Sequence, residues 1–158
     1  MKILEFLKGN WWTFIKYVVV GISGTIIDVA GFTGLVHYTN ISRNGAATIS
    51  FIAAVINNFT WNRLWTFKSR VKNIGKQFFE FLLVSIGGLV LNLLFLSLFS
   101  YLFVSSLELP DVESLPAWAN ASAKLGASGV VLIYNFLANR FITFSPGKEK
   151  AAADKEQL

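Results

Sequence analysis

The chain has 158 residues, of which 54% are hydrophobic and 15% charged, with a formal net charge of +5. A soluble domain carries charge on roughly a quarter of its residues, so this composition excludes an ordinary water-soluble globule and favours a chain solvated by lipid. The basic residues flank apolar runs rather than forming one patch, so anionic headgroups are their counterparts rather than nucleic acid.

The opening MKILEFLKGNWW, residues 1–12, reads as an interfacial segment with Trp11 and Trp12 at headgroup level. No small-residue cleavage site follows a short apolar core, so the segment is expected to stay in the mature protein. Four apolar segments come next, each long enough for the roughly 20 helical residues that cross hydrocarbon. They are Phe14–Tyr38, about Asn44–Asn62, Phe78–Phe103 and about Ala117–Asn139. The predicted fold is all-α, a polytopic membrane protein with four transmembrane helices over 13–146 and a flexible tail over 147–158. Gly21, Gly24, Gly31 and Gly34 in the first segment, and Gly87 and Gly88 in the third, mark faces for close helix approach.

Four spans put both termini on one side. Counting helix ends with their loops, that side receives twelve of the fourteen Lys and Arg, leaving Arg43 and Lys124 opposite. The positive-inside rule then predicts an inner-membrane protein with both termini in the cytoplasm.

An internal repeat organises the spans. A shift of 64 lays FIKYVVVGISGTIID (14–28) over FFEFLLVSIGGLVLN (78–92), matching Val20 with Val84, Gly24 with Gly88 and Asp28 with Asn92. A shift of 77 lays NFTWNRLWTF (58–67) over NFLANRFITF (135–144). Each unit, 13–67 and 77–144, reads as a helical hairpin ending in Asn-Arg. With two spans apiece the copies share one orientation, a parallel repeat.

The shared motif is Asn-x-x-x-Asn-Arg-x-x-Thr-Phe. Asn58 and Asn62 lie four apart, on one helical face, as do Asn135 and Asn139. A carboxamide in hydrocarbon needs a partner, so these faces should point into the bundle or a polar cleft. Arg63 and Arg140 follow at the expected cytoplasmic helix ends, level with lipid phosphates, which guanidinium grips with two parallel hydrogen bonds. Trp65, Phe67, Phe141 and Phe144 are expected to form an aromatic belt just beyond. A single copy would be explained by a helix stop with a basic anchor; recurrence at one spacing adds a headgroup-binding reading beside it.

Asp28 and Asn92 fall at equivalent depths of the first and third segments. An acid near mid-membrane costs on the order of 2.5–3.5 kcal/mol and is a functional candidate, although pairing across the bundle would also account for it. Lys124 can snorkel to the outer interface or line a cavity. Together these three define a possible polar pathway. His37 has no second ligand at suitable spacing, so neither a metal nor a cofactor is expected. No phosphate-binding loop, nucleophile elbow or carboxylate pair is present, so an enzyme is not expected.

With these residues in view the sequence resembles the GtrA-like family. FIKYVVVGISGTIID, NFTWNRLWTF and NFLANRFITF carry the resemblance, which covers about residues 10–146. It implies a small four-helix membrane protein of cell-surface polysaccharide synthesis, moving polyprenyl-phosphate-linked hexose beside a membrane glycosyltransferase. It also implies headgroup contacts at Asn58, Asn62, Arg63, Asn135, Asn139 and Arg140. Ala138 stands where the first motif has Trp61, so the halves need not bind alike. Four helices make a thin pathway, so a homo-oligomer, most simply a dimer, is expected. A scaffold that recruits the glycosyltransferase through its basic rim is the alternative. A small multidrug-type exporter is weaker, since Asp28 alone stands in for its embedded acid.

Overall fold

A computed structural model describes residues 9–145, together with 147, 148 and 154. Most of the opening segment 1–12 and of the tail 147–158 therefore lies outside the described residues. Within them the chain is all-helical: α1 Trp11–Tyr38, α2 Arg43–Trp61, α3 Ile74–Ser106 and α4 Ala117–Ala138. Trp11 and Trp12 open α1 itself and are exposed.

Helices α1 and α2 pack as one hairpin, and α3 and α4 as another. Local signals set the ends. Ser42 caps α2 by accepting from Gly45 N at 3.2 Å, and Asn73 caps α3 by accepting from Lys76 N at 3.0 Å. Pro116 precedes α4 in extended conformation, with its carbonyl taking the first helical hydrogen bonds. The longer loop of the second hairpin is braced by Asp111, whose carboxylate accepts from Ser114 N at 2.9 Å and Ser114 Oγ at 2.7 Å. The Ser114 side-chain bond, then the backbone one, holds that carboxyl below the usual carboxylate range.

The core of each hairpin is its seam. In the first, Tyr17, Val20 and Gly24 of α1 are buried with Ala46, Ser50, Ala54 and Phe59 of α2. In the second, Phe81, Val84 and Gly88 of α3 are buried with Ala123, Ala127, Val131 and Phe136 of α4. Position by position these are the repeat equivalents read from the sequence, so the duplication extends to the packed face. Small residues every fourth position let the helices close up.

Outward faces are apolar instead. Val19, Ile22, Ile26 and Val29 of α1 are about half exposed or more, which suits lipid and not water. Three helical stretches, Trp11–Tyr38, Ile74–Ser106 and Ala117–Thr143, are long and apolar enough to cross a membrane. Helix α2 has 19 residues and is less apolar, because Arg43, Asn44, Asn57 and Asn58 fall within it.

The glycines divide. Gly24 and Gly31 meet Asn58 and Ser50, and Gly87 and Gly88 meet Tyr134 and Asn135. Gly21 and Gly34, expected on the same close-packed face as Gly24 and Gly31, have no neighbour that a Cβ would touch. The partner helix therefore approaches α1 closely at Gly24 and Gly31 and not at Gly21 or Gly34.

Candidate functional site

Both Asn-Arg motifs leave the α-helix in the same manner. Residues Asn62–Thr66 and Asn139–Thr143 form π-helical turns that continue α2 and α4. Phe67 N donates to Asn62 O at 2.9 Å, and Phe144 N donates to Asn139 O at 2.7 Å, the i→i−5 bond of a π turn. Widening the turn by one residue rotates the side chains beyond it. Phe67 and Phe144, expected in an exposed aromatic belt, are instead buried at the hairpin foot, with Phe67 against Tyr17 at 6.1 Å between ring centroids. Trp65 and Phe141 remain exposed, as a belt requires.

The same geometry draws a polar ladder inward. Asn58, Asn62 and Thr66 recur every fourth residue, as do Asn135, Asn139 and Thr143. Asn62, Thr66, Asn139 and Thr143 are buried, and Asn58 and Asn135 half-buried. Among the described residues, Asn58 Oδ1, Asn62 Oδ1, Thr66 Oγ1, Asn135 Oδ1 and Thr143 Oγ1 are buried without a hydrogen-bond partner. Such atoms are rare in native proteins, and here they recur at equivalent positions of the repeat. The threonines were visible in the motif, and their four-residue spacing from Asn62 and Asn139 was the signal that joins them to the ladder.

The Asn58 carboxamide occupies the space a Cβ would need at Gly24, where its Cγ would stand 2.6 Å away. Asn135 does the same over Gly88, with Nδ2 at 2.8 Å from such a Cβ. Asn139 Nδ2 donates to Asn135 O at 2.9 Å. At the foot of the second hairpin the buried Gln77 donates through Nε2 to Thr143 O at 3.1 Å, tying the start of α3 to the end of the motif.

The two arginines differ. Arg63 Nη2 donates to Val71 O at 2.7 Å, and Arg63 O accepts from Ser69 N at 2.8 Å, so this residue folds its own basic loop back on the helix end. Lys68, at φ 51°, makes the left-handed turn between them. Arg140 is half-buried, and its guanidinium has no hydrogen-bond partner among the described residues. Lys16, one turn from the start of α1, lies over the Trp65 ring at 5.4 Å from its centroid.

Of the expected polar pathway, Asp28 has a partner within its own hairpin: Ser50 Oγ donates to its Oδ1 at 2.6 Å. The equivalents in the second hairpin are Asn92 and Ala127, and alanine cannot donate. Asn92 is half-buried and makes no side-chain hydrogen bond among the described residues. Lys124 is exposed, on a stretch of α4 that meets α3 at Phe99 and Phe103, well beyond Asn92, and the two do not meet. Asn57 Nδ2 also crosses the first seam, donating to Ser23 Oγ at 2.9 Å. Ser50→Ala is expected to destabilise the protein by about 1–2 kcal/mol, the value of one interhelical bond to a carboxylate in lipid. A thermal melt in detergent checks this, and an unchanged midpoint would show that the pair contributes nothing to stability.

The family model described as GtrA/DPMS, transmembrane domain, matches residues 16–144, which span both hairpins and both motifs. The chain is 30% identical over 138 residues to the uncharacterized membrane protein YngA of Bacillus subtilis, covering 87% of this chain and 83% of that one. It is 32% identical over 79 residues to a dolichol-phosphate mannosyltransferase of Pyrococcus furiosus, covering 49% of this chain and 22% of that protein. It is 22% identical over 137 residues to the uncharacterized membrane protein YwcD of Bacillus subtilis, covering 85% and 98%. With its apolar helices and a match across both hairpins, the chain is a multi-span membrane protein that belongs to the GtrA/DPMS transmembrane-domain family.

Proposed function

We propose that this protein moves a polyprenyl-phosphate-linked hexose across the cytoplasmic membrane and is not itself an enzyme. The observation that supports the reading is the duplicated π turn, in which an arginine directly follows the second asparagine of a ladder of buried polar side chains in each hairpin. Arg63 and Arg140 hold the phosphate at the inner leaflet, since both termini and the basic loops face the cytoplasm on this reading. Asn58, Asn62, Asn135 and Asn139 present carboxamides next to it, whose oxygens accept from sugar hydroxyls as the seam opens around the head. Asp28, Asn92 and Lys124 offer polar positions further across. The isoprenoid chain stays on the lipid-facing side of the helices. The mannosyltransferase relative supports the choice of lipid, because dolichol phosphate in its name is a polyisoprenoid phosphate. A membrane glycosyltransferase supplies the loaded lipid, and a homodimer widens the pathway.

Reconstitution in liposomes with a labelled polyprenyl-phosphate-hexose tests this. Label loaded into one leaflet should become accessible from the other at a rate proportional to protein. Well-folded protein that leaves the label where it was loaded would overturn transport and favour a scaffold for the glycosyltransferase.

A further inference from the structure

Each hairpin repeats the seam of the other but not its outer surface. In the first, a cleft of about 280 Å³ opens between α1 and the end of α2, lined by Val19, Val20, Ser23, Trp61 and Trp65. The one hydroxyl in its lining is already engaged: Ser23 Oγ donates to Val20 O at 2.8 Å and accepts from Asn57 Nδ2 at 2.9 Å. A ligand entering there meets aliphatic and indole surface and no polar group in need of a partner. A cation borders it at Trp65. The Lys16 ammonium lies against the Trp65 ring, and among the described residues no carboxylate pairs with it. Arg63 stands two residues before Trp65.

In the second hairpin Val84 keeps the place of Val20, but the positions that give the cleft its character are changed. Glu80 replaces Lys16, Ala138 replaces Trp61, Ile142 replaces Trp65, and Gly87 replaces Ser23. Tyr134, the counterpart of Asn57, lays its hydroxyl over Gly87. The positions that supply both indoles and the ammonium in the first hairpin supply neither in the second.

An apolar trough bordered by a cation is complementary to an anionic amphiphile. Its volume falls just below the roughly 300–1,000 Å³ that buries a small ligand, too small for the two acyl chains of a phospholipid. One narrow chain fits. We infer that this cleft seats an isoprenyl phosphate, with the phosphate between Lys16 and the Arg63 end of the motif and the first isoprene units against Trp61 and Trp65. The lipid chain is therefore held by the first hairpin alone. The choice of occupant rests on the transport reading above; the cleft and its asymmetry do not.

The test uses the full chain in phosphatidylcholine nanodiscs with a photoreactive isoprenyl monophosphate, its crosslinks mapped by mass spectrometry. Labelling should concentrate on residues 19–23, Trp61 and Trp65, and be weak at 83–87, 138 and 142. Lys16→Glu should lower it roughly tenfold or more, as reversal of a charge at the membrane surface implies. Lys16→Arg and Glu80→Lys should leave it intact, with melting temperatures confirming that each variant is folded. The matching photoreactive isoprenol without phosphate should label weakly. Equal labelling of both hairpins, indifference to Lys16→Glu, or equal competition by phosphatidylglycerol would overturn the assignment, the last by revealing a general anionic-lipid site. Labelling at the cleft without translocation in liposomes would remove transport and keep the site; translocation without such labelling would do the reverse.

Discussion

Arg140→Lys is expected to slow translocation of a polyprenyl-phosphate-hexose in liposomes by roughly ten- to a hundredfold, with the melting temperature unchanged. Guanidinium meets a phosphate with two parallel hydrogen bonds, whereas an ammonium meets it as a point charge. Losing one charge-assisted bond, about 1.5–3 kcal/mol, corresponds to that range. Arg140 is the cleaner of the two arginines because no described residue takes a hydrogen bond from its guanidinium. Arg63→Lys should slow transport as well, but it also breaks the 2.7 Å bond to Val71 O that closes the basic loop, so its melting temperature should fall. A scaffold that relies on charge would tolerate both exchanges. Wild-type transport by the Arg140→Lys variant would therefore remove the phosphate grip from the mechanism.

The second large effect is steric. Gly24→Ala and Gly88→Ala should each destabilise the protein by about 1–3 kcal/mol, the usual consequence of overfilling a packed seam. The added methyl enters space held by the Asn58 or Asn135 carboxamide. Moving that amide means pushing a buried polar group along a closed seam or into lipid, where no partner waits. Gly21→Ala and Gly34→Ala add the same methyl where nothing stands within 4 Å, so they should be neutral or slightly stabilising. The cause is isolated by the pair Gly24→Ala with Asn58→Ala, which removes the collision and should regain most of the loss. If the two substitutions simply add, the amide is not what Gly24 accommodates, and close helix approach must have another basis.

Both effects trace to polar groups that the chain places twice at the same point. A motif needed only as an anchor would put its polar atoms outside. Here Asn62 and Asn139 are turned inward, and an arginine follows each within the π turn. The π turn is the device: one extra residue in the last turn buries Thr66 and Phe67, or Thr143 and Phe144, and leaves the guanidinium at the edge.

Much of this was legible in the amino-acid order because it comes from counting. Apolar length predicts the helices, and two in-register shifts, 64 and 77, predict that Gly24 matches Gly88 and that Asn58 matches Asn135. Four-residue spacing puts each pair of asparagines on one face. What spacing does not carry is the pairing between faces. Nothing along the chain says that Gly24 lies beneath Asn58 while Gly21 lies beneath nothing, that Asp28 is held by Ser50, or that the motif's phenylalanines turn inward. Those depend on where one helix crosses another and on a single added residue in a helical turn, and a periodicity read within one helix contains neither.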